Sequence, residues 1–258
     1  MIFRLIFALI FLILLYGYFI ERFLVQKTKI AFNNSLNIKF AHITDLHFSR
    51  ETKRERRILA ILKEESPDII FITGDVVNYR EEFVAYFYLK KIKELGKPVY
   101  FVFGNWDYKI KDFKKLKTDL KNLEITVLED ENTVYTKNGQ KVNIVGVNDP
   151  YTKRANLKKA VSGIDKSLYT ILLSHSPDIF YEAKEKSINL VLCGHTHGGQ
   201  IKFPFIKFAL FVPSRYGSRF LCGLFREGNT TMYVNRGIGE SRLPIRIFAR
   251  PEILIGTI

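Results

Sequence analysis

From about residue 38 the chain alternates short β-rich runs with helix-patterned segments, and five of the runs end in the same kind of punctuation. "IKFAHIT" (38–44) leads into "TDLH", "DIIFIT" (68–73) into "TGD", and "PVYFVF" (98–103) into "FGNWD". "YTILLS" (169–174) closes on His175, and "NLVLC" (189–193) runs into "GHTHGGQ". Apolar runs of this length, separated by amphipathic stretches such as "KRERRILAILKEE" (53–65) and "EEFVAYFYLKKIKEL" (81–95), predict an α/β fold. Loops at the carboxyl ends of strands are where such folds assemble their sites. "VNIVGV", "TMYVN" and "EILIGT" read as further strands, and Asn138-Gly139 between β-rich flanks predicts a hairpin. The sequence has no repeats, low-complexity tracts or Ser/Gly linkers, so residues 27–258 read as one catalytic domain with mixed sheets.

Four of the five histidines fall in these loops, together with Asp45, Asp75 and Asp107. Hard and borderline divalent cations prefer carboxylate oxygen and imidazole nitrogen. Asp45, His47, Asp75, Asn105, His175, His195 and His197 therefore have the right chemistry for two ions. An i, i+2 pair just past a strand, such as Asp45/His47 or His195/His197, can aim both side chains into one pocket. A single carboxylate, most simply Asp75, can bridge two ions about 3.5–4 Å apart. "GD" or D-x-H alone arises often by chance. The glycines around His195 and His197 are more specific, because they let the backbone turn close to an ion. His42 lies inside the first strand and matches no ligand pattern, so it reads as structural. Asp107 reads as an organiser of loop backbone. Cys193 and Cys222 have no CxxC spacing and read as core thiols.

In this order the loops resemble the calcineurin-like metallophosphoesterase superfamily, whose motifs are D-x-H, G-D, G-N-H-D/E, a lone His and G-H-x-H. They stand here as Asp45-Leu46-His47, Gly74-Asp75, Gly104-Asn105-Trp106-Asp107, His175 and Gly194-His195-Thr196-His197. The resemblance spans about residues 38–258 and implies a four-layer α/β/β/α sandwich. It also implies one metal at Asp45, His47, Asp75 and His197 and a second at Asp75, Asn105, His175 and His195, with Asp75 and Asn105 as catalytic residues. Mn²⁺ is the expected ion, with Fe, Zn or Mg as alternatives. "GHTHGGQI" and the C-terminal "VNRGIGESRLPIRIFARPEI" look like the membrane-associated, lipid-directed branch.

The N-terminus supports that branch. Leu5–Ile20 is uncharged and apolar on every face, with Arg4 and Arg22 at its ends. Spanning a bilayer takes about 20 residues, so residues 1–26 are expected to form a membrane-anchor helix. The stretch that follows offers no small-residue cleavage site. Arg22, Lys27 and Lys29 follow the segment and only Arg4 precedes it, which places the domain on the cytoplasmic side of an inner membrane by the positive-inside rule. The net charge of +14 suits an anionic partner such as a lipid headgroup or a phosphorylated substrate. No basic-aromatic nucleic-acid motif accompanies that charge, so no nucleic acid is expected. Nothing in the sequence sets an oligomeric state.

Trp106 departs from the family motif. Most members carry there a histidine that contacts phosphate and can protonate the leaving oxygen. An indole cannot do so. A positioned acid is worth typically 10²–10⁴-fold, so its loss is tolerable where the leaving group is already a weak base. A phosphate, with a second pKa of about 6, is such a group. The expected substrate is then a lipid-linked nucleotide pyrophosphate, in the manner of UDP-2,3-diacylglucosamine hydrolysed to UMP and 2,3-diacylglucosamine 1-phosphate in lipid A biosynthesis. The alternatives are a broader phosphodiesterase or phospholipid phosphatase and, in another class, a non-catalytic metal-binding membrane protein. Arg215, Arg236 and Arg242 are candidate phosphate-binding groups. Two stretches are candidates for membrane contact: residues 109–122, with Ile110, Phe113, Leu116 and Leu120 on one stripe, and "FPFIKFALFVP" (203–213), with Phe208 and Phe211.

Overall fold

The computed structural model describes the chain apart from residues 33–34, 79–81, 203–208, 210, 211 and 242. Its elements are α1 (Ile2–Phe19), β1 (Gln26–Ala31), β2 (Lys39–Ile43), α2 (Lys53–Glu65), β3 (Ile69–Thr73), α3 (Glu82–Lys93) and β4 (Val99–Val102). Then follow α4 (Phe113–Asn122), β5 (Thr126–Val127), β6 (Glu131–Lys137), β7 (Gln140–Gly146), α5 (Leu157–Ala160), β8 (Tyr169–Leu173) and α6 (Phe180–Glu185). The last four are β9 (Leu190–Cys193), β10 (Gly223–Glu227), β11 (Thr230–Val234) and β12 (Glu252–Thr257).

The strands form two six-stranded sheets, ordered β1-β12-β2-β3-β4-β5 and β10-β11-β9-β8-β7-β6. β2, β3 and β4 run parallel, as do β7, β8 and β9. Strands covered on both faces need continuous apolar sequence, and β3, β4 and β9 are buried at every residue. Three apolar clusters separate four layers. One packs α2, α3 and α4 against the first sheet through Ile58, Leu89 and Leu120, meeting Ile70 and Phe101. A second lies between the sheets, around Phe40, Phe71, Ile144 and Leu192. The third packs α5 and α6 on the outer face of the second sheet, around Leu157, Phe180 and Val191. This is the mixed α/β sandwich that the loop order implied.

Local chemistry sets the element ends near the site. Thr52 caps α2 in a reciprocal box with Glu55, its hydroxyl accepting from the Arg54 N–H while Glu55 accepts from the Thr52 N–H. Such a cap is worth about 1 kcal/mol. It fixes the return of the chain immediately after the Asp45/His47 loop. Asn138-Gly139 does close a hairpin, between β6 and β7. The sequence reading did not find β1, β5 or β10 and gave β6 only as a β-rich flank of the hairpin; all four lie at sheet edges and expose alternate residues or are very short.

The stripe expected in 109–122 faces inward: Ile110, Leu116 and Leu120 are buried in the first cluster and Phe113 packs on it. Its apolar face is therefore used in the core, leaving lysines outside. Cys193 is buried, but Cys222 is only half-buried, because it follows the last turn before β10 and not a core strand. The apolar stretch 203–213, with Phe208 and Phe211, falls largely outside the described residues. α1 projects almost bare, with residues such as Phe3, Phe7 and Phe11 at 78%, 71% and 60% exposure. The helix with its following turn, Ile2–Phe23, is long and apolar enough to cross a membrane.

Candidate metal centre

The two sheets bring the loops after β2, β3, β4, β8 and β9 together at their carboxyl ends. The stitching is main-chain and specific. The Asp45 N–H donates to Gly74 O and the His47 N–H to Asp75 O, at 3.0 and 2.9 Å. The Gly194 N–H donates to His175 O at 2.9 Å. The His195 N–H crosses between sheets to Asp45 Oδ2 at 2.9 Å. His175 Nδ1 reaches Thr73 O at 2.8 Å, which aims its Nε2 inward.

Five of the seven predicted ligands hold positive φ: Asp45 (52°), His47 (40°), Asp75 (51°), His195 (71°) and His197 (53°). Non-glycine residues occupy this region at a cost, and they concentrate at sites where the geometry matters. The glycines make room. A Cβ on Gly194 would collide with Asp45 Oδ2 and Thr44, and one on Gly237 would lie 2.7 Å from Asp45 Cβ.

The ligand atoms form two groups. Asp45, His47 and His197 make one, and Asp75, His175 and His195 the other, each with its donor atoms within 4.8 Å of one another. In the first, His47 Nε2 and His197 Nε2 are 3.3 Å apart, and His197 Nε2 lies 3.4 Å from Asp45 Oδ1. In the second, His175 Nε2 lies 2.9 Å from His195 Nδ1 and 3.1 Å from Asn105 Oδ1. Asp75 Oδ2 stands between them, 3.6 Å from His47 Nε2 and 3.4 Å from His175 Nε2. All seven residues are at most 5% exposed.

Two features fit cations to this pocket. Asp45 Oδ1 and His195 Nε2 are buried with no hydrogen-bond partner, in a fold where buried polar atoms are nearly always paired. Imidazole nitrogens also face each other across the pocket, His175 Nε2 to His195 Nδ1 at 2.9 Å and His47 Nε2 to His197 Nε2 at 3.3 Å, spacings at which two lone pairs can converge on one cation. The electrostatics divide the histidines. Burial would lower His175, but the Asp75 carboxylate beside it raises it well above the usual histidine range, so a cation there displaces a proton. Burial, then the neighbouring His175, holds His195 well below the usual histidine range, and burial, then His47, does the same for His197. Both are then neutral, the form that ligates metals. Burial alone would raise the Asp75 carboxyl, but the surrounding histidines, His175 first, hold it well below the usual carboxylate range.

Trp106 sits at the edge of this pocket. Its main-chain N–H donates to Asp75 Oδ1 at 2.7 Å, and its ring meets the His47 ring edge-on with centroids 5.8 Å apart. Lys109 Nζ lies 5.0 Å from the indole centroid. Asp107 is buried beneath and orients backbone: its Oδ2 accepts from the Asp75 and Gly104 N–H groups at 2.8 and 2.9 Å, its Oδ1 from Val76 at 3.0 Å. His42 Nε2 bonds Thr73 Oγ1 at 2.8 Å, away from the ligand groups, and burial pushes the ring down to about 3.

The three candidate arginines are not gathered at the pocket in one way. Arg236 pairs through Nε with Glu252 Oε2 at 3.1 Å. Arg215 is exposed and its main-chain N–H is bound to Asp178. Arg242 lies outside the described residues. Sequence reasoning passed over Arg246, the largest fully buried side chain among the described residues. Its Nη2 donates to the carbonyls of Arg236 and Gly237 at 3.0 and 3.3 Å and also to Gly239, its Nη1 donates to Ala249 at 2.7 Å, and Nη2 approaches His197 Nδ1 at 3.4 Å. It thus shapes the loop that backs the Asp45/His47/His197 group. Tyr151 was also passed over; its ring lies 4.5 Å from that of His195. In a chain with 40 lysines and arginines, nothing local distinguishes Arg246.

The family profile described as Calcineurin-like phosphoesterase matches residues 38–199, the span that carries all seven ligand residues. The chain is 29% identical to the uncharacterized metallophosphoesterase YkuE of Bacillus subtilis, over 94% of this chain and 89% of that one. It is also 29% identical to the phosphodiesterase YaeI of Escherichia coli, over 86% of this chain and 82% of that one. A dimetal phosphatase from Danio rerio shares the fold, with a TM-score of 0.50 at 11% identity over 79% of this chain and 88% of the other.

Proposed function

We propose, from the premise that this chain belongs to the Calcineurin-like phosphoesterase family, that it hydrolyses the pyrophosphate of a lipid-linked nucleotide at a membrane surface. The best-fitting reaction converts UDP-2,3-diacylglucosamine to UMP and 2,3-diacylglucosamine 1-phosphate. In this reading α1 anchors the chain in an inner membrane and the catalytic domain lies on its cytoplasmic side. The family makes it a metal-dependent phosphoester hydrolase. The chain contributes two buried groups of metal-ligating side chains that share Asp75. Mn²⁺ is the ion proposed for both.

Asp45, His47, Asp75 and His197 would hold one cation, and Asp75, Asn105, His175 and His195 the other. Two such cations supply a nucleophile active at neutral pH and neutralise charge on the reacting phosphoryl group. The rest is the work of this chain's own residues. Asp107 and the Trp106 main-chain N–H fix the Asp75 carboxylate, Asp107 by holding the backbone and Trp106 by bonding Oδ1 directly. Neutral His195 and His197 present lone pairs. All seven ligand side chains are buried, which holds them in place around the pocket.

The observation that carries the substrate assignment is Trp106. The family's acid position is filled by an indole lying against His47. It is a wall and not a proton donor. A departing UMP or lipid phosphate stabilises its own charge, whereas an alkoxide resembles hydroxide and would need a proton. The test is release of UMP from UDP-diacylglucosamine by the full chain in vesicles with Mn²⁺, abolished by chelation. Failure to release UMP while simple alkyl phosphodiesters turn over well would refute the assignment. That second outcome belongs to a broader phosphodiesterase, a reading favoured by the 29% identity to the phosphodiesterase YaeI.

A further inference from the structure

The end of α1 is not a loose tether. Gly17 packs directly on the chain after Leu243: a Cβ there would lie 2.7 Å from both Arg246 O and Ile247 Cγ1. Glu21, 2% exposed, accepts the Ala249 N–H through Oε1 at 2.8 Å. Arg22 reaches Glu240 with Nε and Nη2, each at 3.2 Å, and donates through Nη1 to Pro244 O at 2.9 Å. Arg54 clamps the same Glu240 at 2.7 Å. The neighbouring Gly239 donates its N–H to Asp45 O at 2.6 Å and leaves no room for a Cβ beside His47, whose own Cβ would be 2.9 Å away. Glu240 and Gly239 link the end of α1 to the Asp45/His47 loop, and Arg246, against which Gly17 packs, links it to His197.

A cleft of about 550 Å³ opens along this junction. Tyr18, Phe19, Arg50 and Leu243, all exposed, and His47, buried, are among the residues that line it. The helix places this cleft at a definite depth. Eighteen residues at about 1.5 Å each give roughly 27 Å, close to the ~30 Å hydrocarbon thickness of a bilayer. Tyr18 and Phe19, 43% and 60% exposed, then stand where aromatic residues settle at the membrane–water boundary. The phosphates of membrane lipids lie at that level. Arg22 and Arg54 are paired with Glu240. Arg50 is exposed and has no carboxylate partner among the described residues.

The geometry points to this cleft as a binding site for the phosphate-bearing headgroup of an anionic membrane lipid, held by Arg50 while the acyl chains stay in the bilayer beside Tyr18, Phe19 and Leu243. A phosphoester held there would lie next to His47, one of the residues that would hold a cation, without the lipid leaving the membrane. As a route for substrate, this rests on the lipid-directed reading above; as a binding site, it rests on the cleft and on α1 lying in a bilayer. A guanidinium suits the task because it binds phosphate through two parallel hydrogen bonds.

The experiment uses the full chain with Mn²⁺ in phosphatidylcholine vesicles and follows hydrolysis of bis(p-nitrophenyl) phosphate. Phosphatidic acid added to the same vesicles is expected to inhibit competitively. Arg50→Glu should weaken that inhibition about tenfold or more, Arg50→Ala less, and Arg50→Lys least. Inorganic phosphate serves as the water-borne comparison and its inhibition should change far less. Absence of inhibition by phosphatidic acid, or equal inhibition of wild type and R50E, would overturn the site. An equal shift for inorganic phosphate and lipid would overturn its specificity for membrane-borne headgroups. A failure of the substrate assignment looks different: UDP-diacylglucosamine is left intact while phosphatidic acid still inhibits through Arg50.

Discussion

Replacing Gly104 by alanine tests whether the metal centre depends on main-chain closeness between strand-end loops. The φ of Gly104 is not in the left-handed region, so alanine is admissible on backbone grounds and only the added methyl matters. That carbon would lie 2.6 Å from Asp75 N and 2.8 Å from His175 Nδ1, and it would overlap Asp75 Oδ1. Ordinary contact begins near 3.5 Å, so the Asp75 backbone must yield roughly 0.9 Å. It cannot yield freely, because Asp107 Oδ2 holds both the Asp75 and the Gly104 N–H. Overpacking of this kind costs about 1–3 kcal/mol, or roughly 2–12 °C in melting temperature for a domain of this size. The functional cost is larger. Metal–ligand distances tolerate about 0.2 Å, and a 1 Å misplacement can cost about 10²-fold in rate. G104A should therefore stay folded, lose about 10–100-fold in Mn²⁺ affinity, and lose about 100-fold or more in turnover. Calorimetric metal titration and diester hydrolysis at saturating Mn²⁺ measure the two separately. Wild-type affinity and rate in a folded G104A protein would refute the proposed closeness of the two loops.

Three other outcomes follow from the same geometry. Asp75→Asn should lower the bound metal of both groups, whereas Asp45→Asn should affect mainly the group with His47 and His197; elemental analysis of the purified proteins gives the stoichiometry. Trp106→His should raise hydrolysis of alkyl diesters by up to about 10²–10⁴-fold while leaving pyrophosphate cleavage within roughly threefold, read from initial rates on the two substrates. His42 is neutral in the fold and charges on unfolding, so it binds fewer protons folded than unfolded between its folded value of about 3 and the ordinary 6.5. Its contribution to stability is present above about pH 6.5 and is lost as pH falls toward 3, with a slope of at most about 1.4 kcal/mol per pH unit. His42→Gln should flatten that part of the curve in denaturant titrations of metal-free protein.

The five loops were legible because each pairs a buried strand, whose apolar run is obligatory, with polar residues that have no other reason to follow it. β2, β3, β4, β8 and β9 were found to within two residues for the same reason. β10 was not, since an edge strand that alternates exposed and half-buried residues carries little apolar signal. The set of ligand residues followed from residue type and position, and its division into two groups from the resemblance to the family. Arg236 shows where sequence stops: the partner that occupies it, Glu252, is sixteen positions away, and β12, which carries Glu252, lies in the other sheet from β11, after which Arg236 follows. Arg246 is hidden for a parallel reason, because its partners are carbonyls that every residue has. The docking of α1 was also illegible. In a uniformly apolar run, only Gly17 marks the contact, and its meaning depends on Ile245 and Ile247 more than two hundred residues later.

The central claim is that Trp106 leaves the site without a proton donor for the leaving group. Its most direct measurement is the rate of Mn²⁺-dependent hydrolysis across a series of phosphodiesters graded by leaving-group pKa, with a pyrophosphate at the acidic end. The account predicts a steep fall in rate as the leaving group becomes more basic, and a shallower fall in W106H. A flat dependence in the wild-type protein would show that another group donates the proton, and would contradict it.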